Sequence, residues 1–409
     1  MNDTKNSDPQ NQGPLRGVRV IDLTRIIVGP FCTLQLADLG AEVIKIERPG
    51  HGDDTRHMKP PAQGGEAHFY LAFNRNKKSV AIDLKAKEGR ALINNLLKEA
   101  HVVIENFRPG VTKRLGLDYD SIKDRHPHLI YCSISSYGQT GMMSHRPGLD
   151  PVLQAEMGLM SLNGVPDGEP MRHPLSLTDL YTGLYASTAI SAAIVAQRDS
   201  GQGQHIDLSL MKGALGALGN MAQYYFASGE NPPRLGNGFP TASPVGAFRG
   251  SDGGMFYLAC GTDKLFNTLA TKALDRPDLL EDERYNTNSA RVQNRDSLMA
   301  LLTDAFATDT RDNWVAHIQK AGAPAGPVRG ISEALESPEV AEAGMVTTVD
   351  HPTAGELRMM ASPLKLSGTP TATPVAPPLL GQHTDEVLTE LLNLDAAALA
   401  ALRESNVIG

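Results

Sequence analysis

The chain has 409 residues, which is too long for one compact core and predicts two domains. Its hydrophobic fraction of 41% and charged fraction of 21% are those of a globular protein and exclude a wholly disordered or fibrous chain. The formal net charge of −8 argues against nucleic acid or an anionic membrane as a partner, without excluding a local basic pocket for a phosphorylated ligand.

The N-terminal residues 1–14 are polar and are predicted to be a disordered leader, because they lack the apolar stretch of a signal peptide. No segment has the length and apolar character of a membrane span. The three cysteines, Cys32, Cys132 and Cys260, are far apart and form no Cys-x-x-Cys pair. They predict reduced thiols in a cytoplasmic protein without a metal site.

Strand and helix patterns alternate through the first half of the chain. The predicted strands are 18–23, 42–47, 79–83, 102–105, 129–134 and 205–208, and the predicted helices are 29–39, 87–98, 150–162 and 179–198. Strands that alternate with helices pair in parallel, since each helix carries the chain back to the same end of the sheet. The sequence therefore predicts an α/β fold with a Rossmann-like parallel sheet.

The pattern changes after a long predicted helix at 211–228. Residues 229–254 are rich in Pro and Gly and end in a hairpin turn signal at 251–254. We therefore predict a large Rossmann-like domain whose first part spans 15–229 and includes a linker helix. A smaller α+β domain is predicted at 230–330. Residues 331–409 are predicted to return to the large domain, with a final helix at 384–404.

The turn after the first predicted strand lacks the signature of a nucleotide site. Residues 24–30 contain a single glycine, whereas a nicotinamide dinucleotide site requires Gly-x-Gly-x-x-Gly at this point. The chain also has no Gly-x-x-x-x-Gly-Lys-Ser/Thr loop. Both a nicotinamide cofactor and a P-loop nucleotide are disfavoured.

Several long motifs occur in the order found in one enzyme family. They are DLTRIIVGPFCTLQLADLGAEVIKIERPGHGDDTR (22–56), NRNKKSVAIDLK (74–85), IENFRPGVTKRLG (104–116), RPGLDPVLQAEMGLMSLNG (146–164), GQGQHIDLSL (201–210), AGAPAGPV (321–328) and LLGQHTDEVLTELL (379–392). From about residue 15 to the C-terminus the chain resembles the class III CoA-transferases, the family of formyl-CoA transferase and of the carnitine and bile-acid CoA-transferases. The resemblance implies an interlocked-ring homodimer. It also implies coenzyme A thioesters as substrates, with no tightly bound cofactor.

The resemblance assigns the catalytic role to Asp179, in the segment LSLTDLYTGLY. This aspartate would form a mixed anhydride and then an enzyme–CoA thioester. The local sequence by itself indicates a helix N-terminus, because Ser176-x-x-Asp179 precedes an apolar run. The two roles are compatible, since the amides of a helix N-terminus can hold a developing anion.

The phosphates of CoA require cations and backbone donors. By their place in the family pattern, the residues predicted to bind CoA are Ile27, Val28, Arg48, Ile82, Asp83, Lys85, Asn106, Phe107, Arg108 and Arg114. Arg48 and Arg108 each lie in a turn directly after a predicted parallel strand, where α/β folds bind ligands.

The acceptor acid is less well defined by the pattern. Residues 146–164 resemble family members that use succinyl-CoA as donor to small dicarboxylates or their analogues. This resemblance implies succinyl-CoA as the favoured donor and a small carboxylic or dicarboxylic acid or an analogue as the acceptor. Arg172 or His173 could pair with a distal acid group, although an exposed loop charge explains either residue equally well. Ile27 stands where formyl-CoA transferases have glutamine, and residues 243–254 lack a run of glycines that would form a lid. Formate and oxalate are therefore disfavoured.

Two alternatives remain beside the transferase hypothesis. A 2-methylacyl-CoA racemase or epimerase on the same fold needs a histidine base where this chain has Leu149, and leucine cannot move a proton. A CoA-binding protein without catalysis is the second alternative.

Overall fold

The computed structural model describes residues 12–409. The strands are β1 (Arg19–Asp22), β2 (Glu42–Glu47), β3 (Ala62–Gln63), β4 (Glu66–Ala67), β5 (Lys77–Ala81), β6 (Val102–Glu105), β7 (Ile130–Ser135), β8 (His205–Ser209), β9 (Val245–Arg249), β10 (Met255–Ala259), β11 (Ala325–Pro327), β12 (Val346–His351) and β13 (Gly355–Met360). The predicted leader lies outside the described residues except for positions 12–14.

The α-helices are α1 (Val28–Asp38), α2 (His68–Phe73), α3 (Lys87–Leu96), α4 (Val111–Leu115), α5 (Tyr119–Ile122), α6 (Asp150–Glu156), α7 (Leu159–Leu162), α8 (Leu177–Ser200), α9 (Leu210–Ala217), α10 (Asn220–Ser228), α11 (Asp263–Thr268), α12 (Asp278–Glu281), α13 (Asn288–Gln293), α14 (Arg295–Phe306), α15 (Arg311–Ala321), α16 (Ile331–Leu335), α17 (Pro338–Glu342), α18 (Thr384–Leu392) and α19 (Ala396–Glu404). In the described residues, no helix is long and apolar enough to span a membrane.

A six-stranded parallel sheet forms the centre of the first of two compact units. Its strand order is β5-β2-β1-β6-β7-β8, and Ile21 of β1 lies between Ile44 of β2 and Val103 of β6. This order is doubly wound, and it reverses direction between β1 and β6. The predicted α/β class and Rossmann-like parallel sheet are confirmed.

Both faces of this sheet are covered, so side chains that point to opposite faces are buried alike, as are Val43 and Ile44 of β2. One face packs against α1 and α8, with Val20 and Cys32 fully buried in that cluster. The other face packs against α3, α18 and α19, where Ile21 and Leu388 are buried. The C-terminus also reaches β5, since the N–H of Gly409 donates to the carbonyl of Ala81 at 3.2 Å.

The chain divides by contacts into two units. The first contains the described residues up to Met157, His173–Gly219 and Glu339–Gly409. The second contains Gly158–Arg172 and Asn220–Pro338. It is built on the antiparallel sheet β11-β10-β9, and its core is aromatic, including Phe248, Phe256 and Phe306.

Three predicted helices are wrong in extent, because each is interrupted where the backbone turns left-handed. The interruptions are at Gly158 (φ +84°), Gly219 (φ +52°) and Asn393 (φ +55°), within the predicted helices 150–162, 211–228 and 384–404. Glycine and asparagine tolerate this conformation, which ends an α-helix. Apolar spacing continues across these residues, so it did not reveal the breaks.

Candidate active site

A cleft of about 230 Å³ lies at the carboxyl ends of β1, β2, β5 and β6. This is the edge where the strand order reverses, the position at which open α/β sheets bind ligands. The residues that line the cleft are Leu23, Thr24, Arg25, Lys45, Ile46, Glu47, Arg48, Gly52, Asp53, Ile82, Asp83, Leu84, Lys85, Phe107, Val111 and Leu115.

The structure brings half of the predicted CoA-binding residues to this cleft. Those that line it are Arg48, Ile82, Asp83, Lys85 and Phe107. Those that do not are Ile27, Val28, Asn106, Arg108 and Arg114. Ile27 and Val28 lie at the start of α1, and the other three lie in the segment between β6 and the end of α4. Contact of all ten with CoA stays a prediction.

Asn106 does not line the cleft, but it holds the backbone of Arg25, which does. Its side-chain oxygen accepts the Arg25 N–H at 2.9 Å, and its side-chain nitrogen donates to the Arg25 carbonyl at 2.7 Å. The amide thereby joins the turn after β1 to the turn after β6. The guanidinium of Arg25 lies 5.2 Å from the centre of the Phe107 ring and 3.2 Å from Asp54.

Sequence reasoning missed Arg25 as a cleft residue. Its position directly after the first parallel strand was the available signal, the same one that selected Arg48 and Arg108.

Two exposed cations, Arg48 and Lys85, line the cleft, and two more, Arg108 and Arg114, lie in the segment after β6 that supplies Phe107 to it. Within residues 12–409, none of these four pairs with a carboxylate. Unpaired cations can bind phosphate without first breaking an ion pair, so this part of the cleft suits a phosphorylated ligand.

Beneath the cleft the charges are buried and paired. The Lys45 ammonium is fully buried, lies 2.9 Å from Asp53 Oδ2 and donates to the Thr24 carbonyl at 2.8 Å. Burial alone would raise the pKa of Asp53. The Lys45 ammonium and hydrogen bonds from Thr55 outweigh burial and lower that pKa below its usual 3.8.

Asp22 and Lys77 extend this buried group of charges. Lys77 Nζ lies 3.5 Å from Asp22 Oδ2, and it donates to the Pro30 carbonyl at 2.9 Å. Burial lowers the pKa of Lys77 to about 7, against the attraction of Asp22. Burial also acts to raise the pKa of Asp22, but Lys45 and Lys77 lower it below its usual value.

Asp179 occupies the first turn of α8 and is only 8% exposed. Within the described chain its carboxylate has neither an ion pair nor a side-chain hydrogen bond. Burial, with a smaller contribution from the negative charge of Asp150, raises its pKa from 3.8 to about 7. A buried carboxylate without a cation is typical of a functional site.

Asp150 holds the chain that leads into α8. Its Oδ1 accepts the N–H and the hydroxyl of Thr178, both at 2.8 Å, and its Oδ2 accepts from Gln154 at 2.8 Å. Gln154 in turn accepts the His173 N–H at 2.9 Å. This network fixes the backbone on the N-terminal side of Asp179.

The first turn of α1 packs closely against the second turn of α8 because of Gly183. A Cβ at this position would lie 2.9 Å from the Val28 carbonyl oxygen and 2.9 Å from Phe31 Cδ1. Gly183 follows Asp179 by four residues, so both lie on the same face of α8. The start of α1, which continues from the cleft turn, therefore lies beside the helix that carries Asp179.

The two predicted acid-binding residues fall in different units. Arg172 is exposed and ends the Gly158–Arg172 segment of the second unit, whereas His173 is partly buried in the first unit. The His173 backbone is held by Gln154. A role of either residue in acid binding stays a prediction.

Within the part of the chain that the structure describes, no group of three or more His, Cys, Asp or Glu side chains is arranged to hold a metal ion. The site instead consists of a cleft lined by cations, with a buried, unpaired carboxylate nearby.

The families and known proteins that this chain resembles are consistent with this site. Residues 15–384 match CoA-transferase family III. The chain is 39% identical over 402 residues to the succinyl-CoA:glutarate CoA-transferase of Homo sapiens, covering 98% of this chain and 91% of the human protein. It is also 39% identical over 380 residues to the acetyl-CoA:oxalate CoA-transferase of Acetobacter aceti, covering 92% and 95%.

A solved structure is similar as well. The crystal structure of a CAIB/BAIF family protein from Brucella suis has a TM-score of 0.83 and 40% sequence identity, covering 93% of this chain and 100% of that one. The fold and the sequence together define an enzyme that acts on CoA thioesters. The chain belongs to CoA-transferase family III, so the resemblance and the enzyme class predicted from the sequence are confirmed.

Proposed function

We propose that this enzyme transfers CoA from an acyl-CoA donor, with succinyl-CoA favoured, to a small carboxylic or dicarboxylic acid, and that Asp179 is the nucleophile. The observation that carries the proposal is the state of Asp179, a buried carboxylate with a pKa of about 7 and no cation beside it. An anion that is poorly stabilised at rest is the more reactive nucleophile. Burial also excludes the water that would hydrolyse an anhydride.

The proposed reaction conserves every acyl and thiol group. An Asp179 oxygen attacks the thioester carbonyl of the donor, and the C–S bond breaks to release CoA thiolate. The thiolate then attacks the Asp179 carbonyl carbon, which forms an enzyme–CoA thioester and releases the donor acid. The acceptor carboxylate attacks the same carbon and expels CoA thiolate. Finally, the thiolate attacks the acceptor's acyl carbon in the new anhydride, giving the product thioester and free Asp179.

CoA is proposed to lie in the cleft of the parallel sheet. The unpaired cations Arg48 and Lys85 would contact its phosphates, with Arg108 and Arg114 close by. Phe107 offers an apolar ring to the pantetheine or adenine portion. The start of α1 connects this cleft to α8, the helix that carries Asp179. The thiol end of CoA would run along the start of α1.

The choice of acids rests on the relatives. The human relative is named for succinyl-CoA and glutarate, and the Acetobacter relative for acetyl-CoA and oxalate. Both named acceptors are dicarboxylates, which supports a dicarboxylate acceptor here. Succinyl-CoA is favoured as donor by the human relative and by the sequence pattern of residues 146–164.

We also propose a homodimer in the cytoplasm. One face of α8 presents four large side chains that are between 43% and 62% exposed, namely Tyr181, Leu184, Tyr185 and Val195. A continuous apolar face of this kind is typical of a surface that another chain covers.

Isotope exchange tests the proposal. Succinyl-CoA is mixed with isotopically heavy succinate, and heavy succinyl-CoA is followed by mass spectrometry. We expect exchange with the wild-type enzyme and a loss of roughly a thousandfold or more in Asp179→Ala, as for other covalent nucleophiles. Asp199→Asn is the matched control, because Asp199 is an exposed aspartate at the far end of the same helix.

The result separates the competing functions. Exchange that persists in Asp179→Ala would reject Asp179 as the nucleophile. If no exchange occurs with succinate, glutarate, oxalate or acetate and their thioesters, the transferase proposal is wrong. Uptake of solvent deuterium at the α-carbon of a 2-methylacyl-CoA would then favour the racemase alternative, and CoA binding alone would favour the non-catalytic one.

A further inference from the structure

The turn that joins β1 to α1 contains a residue in an unusual conformation. Ile26 has a φ of +72°, in the left-handed region that glycine and asparagine adopt readily. A β-branched side chain makes this conformation unfavourable, because its two branches crowd the backbone. Backbone strain of this kind persists only where the surrounding structure enforces it, and it concentrates at functional sites.

Each residue of the strained turn is held by a side chain from another element. The N–H of Ile26 donates to Asp53 Oδ1 at 3.2 Å. Arg25 exchanges two backbone hydrogen bonds with the amide of Asn106. The carbonyl of Thr24 accepts from Lys45 Nζ at 2.8 Å. Three side chains, from β2 and from the segments after β2 and β6, therefore fix three consecutive residues.

The residues that hold the turn are themselves rigid. Lys45 is fully buried and Asp53 is 1% exposed, and the two form an ion pair. Asp53 Oδ1 also accepts the N–H of Thr55 at 2.9 Å, so the carboxylate has a fixed orientation. Burying an ion pair is costly, and its presence beside the turn indicates a need for a definite geometry.

The turn lies between the two parts of the site. Thr24 and Arg25 line the cleft, whereas Ile27 and Val28 begin α1. The Val28 carbonyl lies against Gly183, one helical turn from Asp179. A shift of Ile26 would therefore move the cleft wall and the start of α1 together.

We propose that Ile26 is a positioning residue: Asp53, Asn106 and Lys45 enforce the left-handed conformation of the turn, and the narrow backbone range open to a β-branched residue there keeps residues 24–26 preformed for CoA. The inference rests on the proposed function of the cleft as the CoA site. A ligand that binds a preformed turn does not have to order it, and this saving appears as affinity. The strain at Ile26 lowers the stability of the fold, while the wall of the cleft at residues 24 and 25 is held in place.

The variant Ile26→Gly tests the inference, with CoA binding measured by calorimetry and stability by thermal unfolding. Glycine relieves the left-handed strain, so we expect the melting temperature to stay the same or rise. Glycine also frees the turn to sample other conformations, so we expect the Kd for CoA to increase roughly tenfold. Opposite changes in stability and affinity are a signature that a purely structural residue would not give.

Two further variants isolate the backbone effect. Ile26→Ala keeps the Cβ, and with it the restricted backbone, so its affinity should remain near that of the wild type. Asn393→Gly alters another left-handed residue, which ends α18 and does not line the cleft. It should leave the Kd for CoA unchanged.

Several results would overturn the inference. Wild-type affinity in Ile26→Gly would show that the stiff backbone contributes nothing to binding. Equal losses in Ile26→Ala and Ile26→Gly would assign the effect to side-chain contacts, and a lower melting temperature in Ile26→Gly would show that the turn is not strained. A wild-type protein that binds no CoA would refute both proposals, whereas one that binds CoA without exchanging label would refute only the reaction at Asp179.

Discussion

Asp53 and Asp179 are buried aspartates of the same unit in opposite surroundings. Asp53 is 1% exposed, lies 2.9 Å from the Lys45 ammonium and has a lowered pKa. Asp179 is 8% exposed, has no cation beside it in the described chain and has a pKa raised to about 7. The same side chain is stabilised as an anion in one place and destabilised in the other.

The contrast separates the supporting role of Asp53 from the nucleophilic role proposed for Asp179. At Asp53 the charge is neutralised and hydrogen-bonded, and it holds a wall of the cleft in place. At Asp179 the charge is left uncompensated, which lowers stability and suits the nucleophilic role that we propose for this carboxylate. Functional sites commonly contain groups that the fold alone would not favour.

Breaking the supporting pair should give the largest effect on stability. Lys45→Met leaves Asp53 and Asp22 without their principal buried cation. Removing one partner of a buried ion pair costs about 3–5 kcal/mol in the free energy of unfolding. We expect a loss of that size at pH 7, measured by urea denaturation.

The pH dependence and a surface control sharpen this test. The folded-state pKa values of Asp22 and Asp53 lie below 3.8, so their pairing contributes fully above the unfolded pKa and is lost as the pH falls through the folded values. Lys78→Met removes a lysine from a more exposed pair with Glu42 and Glu386 and should cost less than about 1 kcal/mol. Similar losses of stability in Lys45→Met and Lys78→Met would contradict the distinction between a buried and a more exposed ion pair.

The stability contributed by Asp179 should depend on pH in the opposite direction. The folded-state pKa of Asp179 is about 7 against 3.8 for the free side chain, so ionisation destabilises the fold increasingly as the pH rises from about 4 to 7. Asp179→Asn removes this penalty. We expect the variant to be more stable than the wild type at pH 8, by at most about 4 kcal/mol.

The same comparison at low pH provides the control. At pH 4 the wild-type Asp179 is protonated in the folded state and roughly half ionised in the unfolded state, so the penalty falls to about 0.5 kcal/mol and the two proteins should have nearly equal free energies of unfolding. A variant that is less stable than the wild type at pH 8 would show that the carboxylate has a stabilising partner after all.

The sequence predicted the central sheet well because its signal is local. Each strand is a short apolar run bounded by turns, and alternation with helices requires parallel pairing. The helix breaks at Gly158 and Asn393 were not predicted, since a single left-handed residue does not disturb the apolar spacing on either side.

The site was predictable only in part. The family pattern predicted a role for Asp179. It also predicted roles for Arg48, Lys85 and Phe107, and these three residues line the cleft. It gave no indication of the strain at Ile26 or of the Lys45–Asp53 pair. These features depend on contacts between separate segments, and no spacing in the sequence reveals them.

A substitution at Gly183, where α1 contacts α8, should have a smaller effect on stability. Alanine normally favours a helix over glycine by about 1 kcal/mol. Here its Cβ would lie 2.9 Å from the Val28 carbonyl oxygen, and this backbone atom cannot move without displacing α1. We expect Gly183→Ala to lose about 1–3 kcal/mol of stability, measured by urea denaturation, since overpacking outweighs helix propensity.

The kinetic effect of Gly183→Ala should exceed what its loss of stability explains. Because Gly183 and Asp179 share a face of α8, pushing that face away from α1 would withdraw the carboxylate from the position proposed for the thiol end of CoA. We expect kcat for label exchange to fall about tenfold or more at 25 °C, where the variant is folded, with little change in the Kd for CoA. Gly368→Ala adds a Cβ with nothing within 4 Å and should change neither quantity. If Gly183→Ala instead weakened CoA binding and left kcat intact, that result would show that the contact between α1 and α8 affects only the cleft and does not position Asp179.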